Sequence, residues 1–173
     1  PRLVEVEAAC RTREPLRTVV MGDSAGGALS LVVAARLRDL DRPRPAGVVM
    51  LSPWLDATLD QREVAELEPS DPMLAESGLR AAGEWWSGSR APDDPLVSPL
   101  HADLSGLPPL DLLIGDRDIL RPAVDLFAER ADEAGAHLHV HEVPAMFHVW
   151  MTRAIPEARR TRRLLVDLVR RRS

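Results

Sequence analysis

The stretch Thr18-Val19-Val20-Met21-Gly22-Asp23-Ser24-Ala25-Gly26-Gly27 limits this chain more than any other. A β-branched run stops at a glycine, presents one serine and leaves through two more glycines. Gly22 to Gly26 has the spacing G-x-S-x-G of a nucleophile elbow, a serine on a sharp turn between a strand and a helix. Such a serine sits in a strained backbone conformation, so neighbours without side chains let the turn close, and Gly22 and Gly26 meet that demand. The pattern is short and also arises by chance in loops rich in glycine and serine. Here a β-branched strand precedes it, and Ala28 to Leu37, apolar nearly all round, predicts a buried helix after it. Ser24 then lies near the amino end of that helix, where free N–H groups favour developing negative charge.

Composition narrows the class. The 173 residues are 45% hydrophobic and 28% charged, which is enough for one domain with a core and too apolar for disorder. A net charge of -5 argues against a nucleic-acid partner, although all 22 basic residues are arginine, a bias that reads as GC-rich coding. The terminal arginine clusters, Arg159 to Arg163 and Arg170 to Arg172, read as a solvated helix face. One cysteine, Cys10, excludes an internal disulfide and suits a reducing compartment. No run approaches a membrane span of about 20 apolar residues, and the amino end lacks a secretion-signal layout. The expectation is a cytoplasmic chain with no membrane partner.

Residues 1 to 16 read as the end of a helix and a polar turn. A strand is predicted over Arg17 to Met21, then a helix to about Leu40, closed by the prolines at 43 and 45. Ala46 to Pro53, a short apolar run bounded by glycine and proline, suits a strand buried on both faces. Residues 54 to 95 form a cap-like insertion over the sheet edge, with a helix from Ala75 to Trp86, and Trp85 and Trp86 are its candidates for a substrate pocket. Leu110 to Ile114 is a third strand. A helix from about Pro122 stops at Gly135, Ala136 to Val143 is a fourth strand, and Pro156 to Arg172 is a terminal amphipathic helix. The alternation makes this an α/β chain with a mostly parallel sheet and flanking helices.

A serine nucleophile needs a base to take its proton and an acid to fix the base's tautomer. Ser24, Asp118 and His148 follow in the order serine, acid, histidine, each just past a predicted strand or the loop following one. Among the five histidines only His148 lies in a loop beyond the last strand; His101 reads as surface. His137, His139 and His141 alternate along the fourth strand, which raises a metal reading, but no set of cysteines or carboxylates completes one, so no metal is assigned. Asp116 competes with Asp118 for the acid role. Asp118 is preferred because Ile119 and Leu120 can anchor it. Asp23 reads as a brace for the elbow.

Gly22-Asp23-Ser24-Ala25-Gly26-Gly27 resembles the serine motif of the hormone-sensitive-lipase-like esterases, the family IV enzymes of α/β-hydrolase fold-3. The likeness continues through Leu51-Ser52-Pro53-Trp54, Asp94 to Leu100, Leu104 to Pro109, Asp118-Ile119-Leu120 and Met146-Phe147-His148. Within that family it resembles the branch that includes monoterpene lactone hydrolases. The resemblance implies a carboxylic-ester hydrolase acting on a small ester or lactone through an acyl-enzyme, with no cofactor. It places the triad on Ser24, Asp118 and His148 and one oxyanion donor on the N–H of Ala25.

It also implies an amino-terminal half carrying an H-G-G-G oxyanion loop, and the sequence contains no His-Gly-Gly. The expectation is therefore a carboxyl-terminal part of the α/β-hydrolase fold, one partial domain over residues 1 to 173, weak or inactive by itself. Its first strand, central in the complete fold, becomes an edge open to self-association or to a partner. Two other readings stand beside this one: a non-catalytic remnant that needs a partner segment, and a serine peptidase of the prolyl-oligopeptidase type.

Overall fold

A computed structural model describes residues 18–172. The reading of residues 1 to 16, Cys10 included, lies outside the described residues. Four strands, β1 (Val19–Asp23), β2 (Gly47–Leu51), β3 (Leu110–Gly115) and β4 (Leu138–Val143), form one sheet in the order β1-β2-β3-β4. Every neighbouring pair is parallel, with Val19 opposite Gly47, Val48 opposite Leu110 and Leu110 opposite Leu138. Parallel neighbours need long crossovers, and α1 (Ala25–Asp39) and α4 (Arg121–Glu133) serve as two of them. The third crossover, residues 52 to 109, carries α2 (Glu63–Leu67) and α3 (Glu76–Ser87). The helix α5 (Pro156–Arg172) ends the described chain.

Alternation along the two central strands builds a core on each face of the sheet. Val48 and Met50 of β2 and Leu110, Leu112 and Ile114 of β3 point to one side, where they pack with Leu31, Ala34 and Ala35 of α1 and Val124, Phe127 and Ala131 of α4. Val49, Leu51 and Leu113 point to the other, against Trp150, Met151 and Leu168 of α5. Every residue of β2 and β3 is buried, as a strand covered on both faces requires. The outer strands are more open, and Met21 on β1 is 50% exposed.

The first strand begins two residues later than its pattern suggests and runs on through Gly22 and Asp23. The hydrogen-bond ladder to β2 is parallel and continues to the turn, so the glycine belongs to the strand. The α1 helix is buried on one side only, with Leu29 40% exposed, so it lies on the sheet surface rather than beneath it. The crossover 52–109 packs Leu59, Val64 and Leu79 on Ile119 and Leu120, just beyond the carboxyl end of β3. Because β3 is an inner strand, this packing lies at the end of the sheet, while Leu55, Leu100, Leu104 and Leu107 of the same crossover join the core between the sheet and the helices α1 and α4.

Candidate active site

Three chain segments leaving the carboxyl ends of β1, β3 and β4 meet at one rim of the sheet. Ser24 sits in the turn between β1 and α1 with φ 53 and ψ -122, a conformation L-residues rarely adopt. Its backbone is held from β2 and the residues after it: Ser24 N–H donates to the Leu51 carbonyl at 2.9 Å and Trp54 N–H donates to the Ser24 carbonyl at 3.0 Å. Gly27 N–H also donates to the Ser24 carbonyl, at 3.0 Å, which starts the helix. A Cβ on Gly22 would run into the backbone of Gly26, and one on Gly27 would stand 2.9 Å from Pro53 Cβ. A Cβ on Gly26 would meet nothing closer than Asp23 Oδ1 at 4.0 Å. Close packing therefore falls on Gly22 and Gly27, and the sequence pattern misassigns it to Gly26. Asp23 is exposed, and the bonds that brace the turn come from the backbone of Leu51 and Trp54.

A histidine lies opposite. His148, 3% exposed, places Nε2 at 3.0 Å from Ser24 Oγ and Nδ1 at 3.0 Å from Asp118 Oδ2 and 3.2 Å from Oδ1. In a neutral imidazole both contacts are satisfied when Nδ1–H donates to the carboxylate and Nε2 accepts the Ser24 hydroxyl. Asp118 is fully buried, and its Oδ1 also accepts the Leu120 N–H at 3.0 Å. Its neighbour Ile119 donates N–H to Asp71 Oδ2 at 3.1 Å, so the crossover segment holds the turn that carries Asp118. Asp118, not Asp116, is the carboxylate that meets the histidine; Ile119 and Leu120 are 0% and 1% exposed and anchor it from below. The turn bearing His148 lies close over the end of β3, where Arg117 N–H donates to the Met146 carbonyl at 3.0 Å.

The Ala25 N–H lies in the first turn of α1, where N–H groups have no helical acceptor. Trp85 and Trp86 stand elsewhere, 83% and 46% exposed. The inward stripe of α3 is Leu79, Gly83 and Ser87, which turns Trp85 to solvent. The tryptophan that touches the Ser24 backbone is Trp54.

The histidines of β4 divide. His137 precedes the strand and gives its carbonyl to Leu110 N–H, while the rings of His139 and His141 meet edge to face at 4.2 Å. His141 Nε2 lies 3.4 Å from Asp111 Oδ1, and Arg172 Nη2 pairs with Asp111 Oδ2 at 3.2 Å. Burial, the largest influence, pulls the His141 pKa below its ordinary value; the Asp111 hydrogen bond opposes this, and the charges of His139 and Arg171 add to it. Among the described residues no group of three or more His, Cys, Asp or Glu could hold a metal ion, and no helix is long and apolar enough to cross a membrane. His101 is exposed, its Nε2 3.8 Å from the buried Asp56. Sequence reasoning missed Asp71 and Ser52, whose partners are remote along the chain.

The arrangement has counterparts in known proteins. A family model described as alpha/beta hydrolase fold matches residues 4–152. The chain is 35% identical over 148 residues to an acetyl-hydrolase of Streptomyces hygroscopicus, covering 84% of this chain and 50% of that protein. It is 31% identical to an esterase of Acinetobacter venetianus, covering 82% of this chain and 49% of the relative. A solved hormone-sensitive lipase from a metagenome library superposes with a TM-score of 0.94 at 30% identity, covering 99% of this chain and 60% of that one. The chain thus spans about half the length of these curated relatives.

Proposed function

Because the chain belongs to the α/β-hydrolase fold family and resembles, within it, the hormone-sensitive-lipase-like esterases, we propose that it is a carboxylic-ester hydrolase working through Ser24, His148 and Asp118. The observation that carries the reading is the unbroken relay from Ser24 Oγ through His148 to Asp118, each contact within 3.0 Å. Ser24 Oγ attacks the acyl carbon while His148 Nε2 takes its proton. Asp118 keeps the other ring nitrogen protonated and stabilises the imidazolium that forms. His148 then gives the proton to the leaving alkoxide, and water, activated by the same nitrogen, releases the acid from the acyl-enzyme. The substrate is a small ester or lactone, in keeping with relatives named acetyl-hydrolase and esterase.

The oxyanion is met by the Ala25 N–H at the start of α1. Losing one donor from such a site costs about a hundredfold to a thousandfold in rate. Residues 54 to 95 act as a cap-like cover over the carboxyl end of the sheet, clamped by Asp71. Treatment of the chain with a fluorophosphonate, followed by intact mass measurement, tests the reading. One adduct on the wild type and none on Ser24→Ala is expected. An unmodified wild type, or equal labelling of both, overturns it and leaves the non-catalytic reading. A p-nitroanilide cleaved faster than the matching p-nitrophenyl ester would favour the peptidase.

A further inference from the structure

The segment Leu51-Ser52-Pro53-Trp54 is one motif that the triad leaves without a task, and it touches both Ser24 and the residue that follows His148. Its first and last members hold the nucleophile, through the Leu51 carbonyl and the Trp54 N–H. Pro53 packs over Gly27 at the start of α1. Ser52 is the member that reaches the base. It is 0% exposed, its N–H donates to the Leu113 carbonyl at 2.7 Å, and its Oγ accepts the Val149 N–H at 3.1 Å from a residue 97 positions away.

Val149 is an unusual place to find a valine. Its φ is 45, in the left-handed region where a β-branched side chain is an outlier. Ser52 itself has φ 45 and Ser24 φ 53, so three strained non-glycine residues meet at this rim. Strain of this kind persists only where the surroundings over-determine it. On its far side Val149 is held by Thr152, whose N–H and Oγ1 both donate to the Val149 carbonyl, at 3.0 and 2.9 Å. On its near side its N–H donates to Ser52 Oγ. That N–H belongs to the peptide plane joining His148 to Val149, and the plane is rigid, so fixing it fixes the backbone from which the imidazole projects.

We propose that Ser52 is a positioning residue for the base: its buried hydroxyl locks the 148–149 peptide plane, and through it sets His148 Nε2 on Ser24 Oγ. The same short turn grips the nucleophile's backbone, so serine and histidine are registered against one another by a single bracket at the end of β2. This deepens the triad reading and rests on it. Without the hydroxyl the Val149 N–H loses its acceptor, and the left-handed strain of the valine, no longer restrained from this side, turns the plane out of the conformation that seats the imidazole.

The test compares wild type, Ser52→Ala, Val149→Gly and the double variant, all as the full chain. Nitrogen-15 spectra of the His148 imidazole report its tautomer whether or not the protein reacts. The pH profile of Ser24 labelling by a fluorophosphonate reports the relay, and thermal melts report folding. Ser52→Ala is expected to move the His148 imidazole signals and to slow labelling about five- to a hundredfold, with a shifted pH profile. In the Val149→Gly background, where glycine takes the left-handed conformation freely, the same substitution is expected to slow labelling by less than about threefold. His148 signals and a labelling profile unchanged in Ser52→Ala, with only the melting temperature lowered, would overturn the proposal. If the wild type is not labelled at all, the triad reading fails, and the Ser52 lock is judged by the imidazole spectra alone: unchanged signals end it too.

Discussion

Asp118→Asn isolates the electrostatic link of the relay. Asparagine fills the same buried volume, but one of its two atoms is now a donor. Oδ1 of Asp118 accepts the Leu120 N–H at 3.0 Å and stands 3.2 Å from His148 Nδ1, whereas Oδ2 has Nδ1 as its one partner and the closer contact, at 3.0 Å. The amide therefore keeps its oxygen toward Leu120 and turns its NH2 toward the imidazole. Flipping it would set the NH2 against the Leu120 N–H, leaving a buried donor unpaired at a cost of about 1–3 kcal/mol. Facing a donor, His148 Nδ1 gives up its proton, Nε2 becomes the protonated nitrogen, and the Ser24 hydroxyl loses its acceptor at 3.0 Å. In serine hydrolases this tautomer error lowers turnover about ten-thousandfold, or about 5 kcal/mol of barrier. The assay is the pseudo-first-order rate of fluorophosphonate labelling, with Ser24→Ala as the blank. A variant that labels within about tenfold of the wild type, its imidazole still protonated at Nδ1, would refute the reasoning.

Two further outcomes follow from the packing. Gly22→Ala places a methyl group into the backbone of Gly26 and is expected to destabilise the fold by about 2–3 kcal/mol in urea titrations; a loss under about 0.5 kcal/mol would show that the elbow can relax. His141 has a folded-state pKa below its ordinary 6.5, chiefly from burial, among Asp111 of β3, His139 of β4 and Arg171 and Arg172 of α5. The unfolded chain therefore binds the proton first, so stability is full above 6.5 and declines as pH falls through 6.5 toward the folded value. The urea midpoint of the wild type should drop more steeply between about pH 7.5 and pH 5.5 than that of His141→Gln; equal slopes would refute it.

Local physics made the strands, the helices and the elbow legible in the residues themselves. A β-branched run ending at glycine, an apolar helix behind a serine, and a proline opening each of the later helices' first turns are all short-range signals, and the sheet is parallel as the alternation required. Even the choice of Asp118 over Asp116 could be argued locally, since Ile119 and Leu120 bury the turn beside it. The sequence erred or fell silent where the question was which side of an element faces the core. Trp85 and Trp86 share an amphipathic helix with Leu79 and Gly83, and only packing on the β3 end fixed the helix's rotation and sent Trp85 into solvent. Asp71 and Ser52 were unreadable because what they hold, Ile119 and Val149, lies 48 and 97 residues downstream. The strand register brings those segments together. No pattern in the chain encodes a contact whose geometry exists only after four strands have aligned and their outgoing turns have been stacked at one rim.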